Sequence, residues 1–204
     1  MTGFDVADLS TREIYKLLIG PIVPRPIAWV STVSAEGVKN LAPFSYFNAC
    51  SSDPPMLGFS VSEPKLVDKT AKDTLTHLRE TNDFVVNIAN ADLLNEVFTT
   101  AFEFPVDVDE FEVANLTAAT SETVTAPRVF QAPVSYECVV HQIVPLGLSH
   151  WVIGRVTYIH VRDGLIDENF RTDVAALRPL GRMPGPTFST KMNCVQPSVD
   201  PIAD

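Results

Sequence analysis

The chain reads as a mainly β protein with inserted helices, closing on itself as an antiparallel barrel. Three observations predict this. Runs rich in β-branched and aromatic residues recur often enough for six or seven strands. Helical patterns fall between some of them, without the regular β-α-β alternation of a doubly wound sheet. No G-x-G-x-x-G follows a strand, so a Rossmann dinucleotide site has no support.

The elements follow in order. Ser10 or Thr11 can cap a short helix through Ile14, Leu17 and Leu18, which Gly20-Pro21 would stop. Residues 27–33 (IAWVSTV) are a strand by their β-branched content, and 34–37 (SAEG) a turn in which Gly37 accepts positive φ. Residues 40–50 return as a second strand, with Pro43 demanding a bulge or a sheet edge because it has no amide to donate. Pro54-Pro55 breaks the chain, and 56–62 is a third strand. Residues 63–72 are polar and loop-like. A helix follows over 73–80, capped by Asp73 or Thr74, with Leu75 and Leu78 on its apolar face.

Residues 83–90 are a strand, and Leu93, Leu94, Val97 and Phe98 mark another helix. The acidic, irregular stretch 102–126 is expected to be a covering loop. Alternation predicts strands at 134–144 and 151–161, joined by a hairpin loop over 145–150. Residues 173–177 are a short helical candidate, 178–186 a Pro/Gly-rich loop, and the tail beyond Ser189 is frayed. No internal repeat or linker divides the chain, so its 204 residues form one domain with its core at about 15–189.

Composition bounds the function. With 46% hydrophobic and 20% charged residues, the chain can bury a core. A formal net charge of -10 disfavours nucleic acid and anionic membrane surfaces as partners. Cys50, Cys138 and Cys194 are far apart and odd in number, neither a disulfide framework nor a zinc site. Without an evident signal peptide or membrane span, a soluble cytoplasmic protein is expected. Among His77, His141, His150 and His160 no H-x-x-x-H spacing occurs, and neither a P-loop nor G-x-S-x-G is present. No metal is expected. Spacing alone leaves a paired-carboxylate site open.

What remains is polar residues in strands: Ser31 and Thr32 in the first, Asn40, Ser45 and Asn48 in the second, Ser60 and Ser62 in the third. Singly each reads as a turn or surface residue. Together they suit a flat ring that needs a few donors and acceptors at one edge. Lys72, Asp73 and Thr74 open a helix, where free amides, a cation and a hydroxyl can hold a phosphate; plain capping is the competing reading. Arg178 and Arg182, beside Gly181 and Gly185, can either cover an anion or offset local acid. His150, in the expected hairpin loop, can meet a substrate or simply face water.

These pieces, in this order, resemble the flavin-reductase-like family of FMN-binding split barrels, in particular its longer flavoredoxin-like members. The carrying segments are RPIAWVST (25–32), NLAPFSYFN (40–48), SDPP (52–55) and KDT (72–74). Later come FVVNI (84–88), PVSYE (133–137), GRV (154–156) and RPLGR (178–182). The resemblance implies a six-stranded antiparallel Greek-key split β-barrel, assembled as a homodimer with FMN near the interface. It places Ser31, Thr32, Leu41, Ala42, Ser45 and Asn48 around the flavin, and Lys72, Asp73 and Thr74 near its phosphate or ribityl chain. Arg182 joins them from the late loop, although MPGPTF (183–188) replaces the Gly-Gly-then-Tyr usual there. His150 matches the position of a histidine near the nicotinamide in short reductases of the family.

The implied activity is hydride transfer from NADH or NADPH to bound flavin, with a monooxygenase or other acceptor taking the electrons. A flavoredoxin-type electron carrier and a non-catalytic flavin-binding protein are the alternatives. Such chemistry needs stacking and orientation more than a general base, in keeping with the missing triads.

Overall fold

The structure, a computed structural model, describes residues 1–62 and 71–195. The predicted loop over 63–72 lies mostly outside these residues, as does the end of the tail. Seven segments form one antiparallel sheet: β1 (Ala28–Val33), β2 (Lys39–Phe44), β3 (Phe47–Ser52), β4 (Pro55–Ser62), β5 (Asp83–Ile88), β8 (Val134–Leu146) and β9 (Ser149–Val161). Short pieces complete the β content: β6 (Ala118–Ala119) with β7 (Arg128–Val129), and β10 (Gly181–Arg182) with β11 (Phe188–Ser189).

The sheet order is β2-β1-β5-β8-β9-β4-β3. Its two edge strands, β2 and β3, are consecutive in the chain, separated only by Ser45 and Tyr46. One bent run therefore supplies both edges of an open sheet, so the seven segments are six strand runs of a split barrel. The single run expected over 40–50 thus divides. Ala42 pairs with Val30 on one side, and Asn48 pairs with Gly58 on the other. The amide of Ser60 donates to the carbonyl of Tyr46 at 2.9 Å, stitching the corner to β4. Pro43 sits on β2, an edge, where its missing amide costs no ladder bond.

The barrel interior is filled by Val30, Phe59, Val61, Phe84, Val86 and Cys138, with Leu75 and Leu78 of α2 (Asp73–Thr81) packed against them. Burial pushes the Cys138 thiol up, which leaves it an inert core group. A second cluster lies on the outer face, where Trp29, Leu41, Val97, Phe111 and Val129 meet. It is roofed by α3 (Leu94–Thr99) and α4 (Glu110–Val113). β1 is thus buried on both faces, so its sequence shows no clean alternation of polar and apolar residues.

Four local expectations change. Lys72, not Asp73 or Thr74, occupies the N-cap of α2, and its own side chain makes no capping bond. Strands β8 and β9 each run 13 residues, and only Gly147 and Leu148 turn between them. Gly147, at φ +60°, permits that tight turn, so His150 belongs to β9 and not to a loop. The stretch 102–126 is mostly irregular as expected, but it contains α4 and β6. Helix α1 (Thr11–Ile19) begins on a reciprocal capping box, in which Ser10 receives the amide of Glu13 while Glu13 receives that of Ser10. Short α5 (Val174–Leu177) is capped by Asp173. Among the described residues no helix is long and apolar enough to cross a membrane.

Candidate functional site

Two clefts adjoin along β2. The smaller, of about 90 Å³, is lined by Asn40, Ala42, Lys72, Asp73, Thr74, Glu103 and Glu110 among others. The larger, of about 1030 Å³, lies between α1, the corner at Ser45 and the β10–β11 hairpin. Pro43 and Ala101 belong to both, so the two clefts are neighbours.

The smaller cleft is built on the start of α2. Lys72 has no side-chain oxygen to cap the helix, and the helix dipole adds partial positive charge at this end. The buried Thr74 hydroxyl receives the Asn40 amide at 3.1 Å. The Lys72 ammonium is paired with Glu103. Glu110 closes the floor and accepts the Leu41 amide at 3.2 Å. Burial pushes its carboxyl up to about 7, against bonds to its own amide and that of Leu41, so near neutral pH it is partly uncharged. The helix start and Lys72 favour an anion in this cleft, and the carboxylates of Asp73, Glu103 and Glu110 oppose one.

The larger cleft has the opposite character. Arg25 and Arg182 face it beside Arg12 and Lys16 of α1, with Tyr15, Ile19, Pro43 and Phe188 as apolar walls. Arg25 and Arg182 form an isolated antiparallel bridge: the Arg25 amide donates to the Arg182 carbonyl at 3.0 Å, and the Arg182 amide donates back at 2.8 Å. Arg25 also donates from Nε to Ser45 Oγ at 3.3 Å, tying the corner to the cleft. The Arg182 guanidinium lies 4.6 Å from the centre of the Phe188 ring. Desolvation, then the nearby charge of Arg25, lower its pKa.

The residues expected around a cofactor divide. Ala42, Lys72, Asp73 and Thr74 line the smaller cleft; Ser45 and Arg182 line the larger. Asn48 borders a third groove with Leu18, Ile22, Tyr46 and Trp151, which meets the larger cleft at Arg25 and Ser45. Ser31, Thr32 and Leu41 are fully buried and line neither cleft. Ser31 Oγ donates to the Pro127 carbonyl at 2.5 Å and receives Asn87 Nδ2 at 3.1 Å. Thr32 Oγ1 lies 3.0 Å from His77 Nδ1, inside the barrel. His150 also lines neither cleft: it lies in β9 opposite Val61 and Pro145, with Nε2 3.5 Å from Arg79 Nη2.

Sequence reading missed Arg25, Pro43, Glu103 and Glu110 as site residues. Arg25 stood inside the quoted RPIAWVST segment, flanked by prolines in an otherwise apolar approach, and that was a usable signal. Glu103 and Glu110 lay in an acidic loop with nothing to set them apart.

The flavin reductase like domain family matches residues 21–178 of this chain. An uncharacterized protein of Aquifex aeolicus is 42% identical over 182 residues, 89% of this chain and 92% of that protein. Component B of nitrilotriacetate monooxygenase from Bacillus cereus superposes with a TM-score of 0.91 at 33% identity, over 96% of this chain and 98% of that one. The Pseudomonas fluorescens 2-nitrobenzoate 2-nitroreductase NbaA superposes with a TM-score of 0.88 at 29% identity, over 100% and 98%. With the barrel topology, these matches establish that the chain belongs to the flavin reductase-like family, a flavoprotein on a split β-barrel.

Proposed function

We propose that this protein is an FMN-dependent NAD(P)H:flavin reductase that works as a homodimer. The observation that carries the reading is that the two clefts share Pro43 and Ala101, which sets a phosphate-sized recess beside a ring-sized space. The start of α2 and Lys72 would hold the phosphate, with Lys72 exchanging Glu103 for it. Ala42, Pro43 and Ser45 would lie along the ring, and Arg182 would close over it from the β10–β11 hairpin. Bound FMN would accept hydride from a nicotinamide and pass electrons onward.

Similarity to a monooxygenase component and to a nitroreductase supports an electron acceptor beyond the nicotinamide, either a monooxygenase or a small molecule. Exposed Leu18, Ile22 and Tyr46 beside Trp151 support a second copy on that face. A nicotinamide contact from His150 would then be made to the neighbouring copy's cleft, since His150 lines neither cleft of its own chain. The acidic surface and free thiols fit a cytoplasmic protein that binds neither nucleic acid nor membranes.

The test is a visible spectrum of the purified protein with FMN, repeated anaerobically with NADH and with NADPH, alongside sedimentation velocity. Bound flavin that one nicotinamide bleaches, in a dimer, is the expected result. Bound flavin that neither nicotinamide bleaches would replace this reading with a flavoredoxin-type carrier. Failure to bind FMN would end it.

A further inference from the structure

We infer that the larger cleft contains a second anion site, separate from the phosphate recess at α2, which takes the carboxylate of an apolar, ring-bearing organic acid. The flavin reading supplies only the purpose of such an acid, as the electron acceptor beside the ring; the binding argument stands without it.

Arg25 is the centre of the argument. It is only 5% exposed, and a buried cation ordinarily has a carboxylate beside it. Here the acceptors are neutral: Ser45 Oγ for Nε, the Ile19 carbonyl at 2.7 Å and the Ile22 carbonyl at 3.1 Å for Nη1, and the Met183 carbonyl at 3.4 Å for Nη2. A guanidinium has five N–H donors, so one donor on Nη2 has no acceptor among the described residues.

Arg182 repeats the pattern. The reciprocal backbone bonds hold it beside Arg25, and its own guanidinium rests on the Phe188 ring. Arg12 and Lys16, four positions apart on α1, face the same cleft. Among the described residues no ion pair involves any of these four cations, whereas Lys39, Lys72 and Arg178 each have a carboxylate partner. In a chain with net charge -10, four such cations around one cleft, one of them buried, make it a place that attracts an anion.

The walls select the class. Tyr15, Ile19, Pro43 and Phe188 surround the cations with apolar and aromatic surface, which a bare phosphate or sulfate would leave unused. A guanidinium fork matches a carboxylate in a bidentate pair, and a ring attached to it would pack on those walls. Ser45, which touches Arg25, and Pro43 line the same cleft and would set such a ring next to the proposed flavin position.

The experiment is isothermal titration of the FMN-saturated dimer with benzoate, with its neutral isostere benzamide, and with inorganic phosphate and adenosine 2'-phosphate. Benzoate is expected to bind once per chain and more tightly than the other three probes. Arg182→Gln is expected to weaken benzoate about tenfold or more, the loss of a charge-assisted bond, and Arg182→Lys to restore little of it. Arg12→Gln provides a second variant at an exposed position, and Arg25, being buried, is left intact.

FMN saturation of each variant is read separately from its absorbance. If the parent takes up no FMN, the functional reading fails, and benzoate titration of the flavin-free chain still decides the anion site. Absence of benzoate binding, equal affinity for benzamide, or unchanged affinity in Arg182→Gln would each overturn the inference. Tighter binding of adenosine 2'-phosphate or inorganic phosphate would overturn it in favour of a phosphate site.

Discussion

Glu137 and His160 meet at 2.6 Å, Oε1 to Nε2, diagonally across the β8–β9 ladder. Glu137 is fully buried there, and the amides of Glu122 and Thr123 and the Thr123 hydroxyl also donate to it. Asp83 on β5 likewise receives the amides of Thr125 and Ala126. Two carboxylates therefore pin residues 122–126 onto the barrel wall.

Burial alone would raise the Glu137 carboxyl, but His160 and the donors from Glu122 and Thr123 outweigh it and hold the group below the usual carboxylate range. A depressed carboxylate stabilises the fold above its unfolded value, and that stability is lost as pH falls through the folded value. Glu137→Gln should therefore cost on the order of 2 kcal/mol at pH 7. Urea midpoints of parent and variant should converge below about pH 4. A constant gap between them at all pH values would refute the charge-based account.

Glu110 carries the opposite sign. Its folded pKa, about 7, exceeds its unfolded value, so its stabilising effect is complete below the unfolded pKa and is lost as pH rises through about 7. Glu110→Gln keeps an acceptor for the Leu41 amide but cannot ionise. The variant should overtake the parent at pH 8, by an amount on the order of 3 kcal/mol. Melting temperatures recorded from pH 5 to 8 would show the crossing, and parallel curves would rule it out.

Lys72 and Glu103 make an opposed pair of variants. Lys72→Ala should weaken FMN at least about tenfold, because a charge-assisted contact is removed. Glu103→Gln should tighten it, since the ammonium no longer has to leave a carboxylate partner. Fluorescence titration of FMN measures both, and equal affinities in parent and Lys72→Ala would move the phosphate elsewhere.

Gly154 lies where the barrel has no room. A Cβ built there would stand 2.3 Å from Phe84 Cζ and 3.1 Å from the Cβ of Cys138. Gly154→Ala should destabilise the protein by about 1–3 kcal/mol, since Phe84 is fully enclosed and cannot swing away. Thermal unfolding checks it; a shift within error would mean that β9 yields.

The sequence alone indicated the six main strand runs, the helix that starts at Ser10 or Thr11, the helix over 73–80, and the order of segments that marks the family, because β-branched content, residue spacing and proline positions are local properties. It also pointed to Lys72, Thr74, Ser45 and Arg182, which do line the clefts. It did not show that β2 and β3 part at Ser45, because a bend between two edges is decided by which strands they pair with. Nor did it show that Ser31 and Thr32 are consumed by Pro127 and His77, partners 96 and 45 residues away. The pairing of Arg25 with Arg182 is likewise a bridge between distant segments. Only folding of the split barrel brings these groups together, since the charge balance of a buried side chain depends on its neighbours in space.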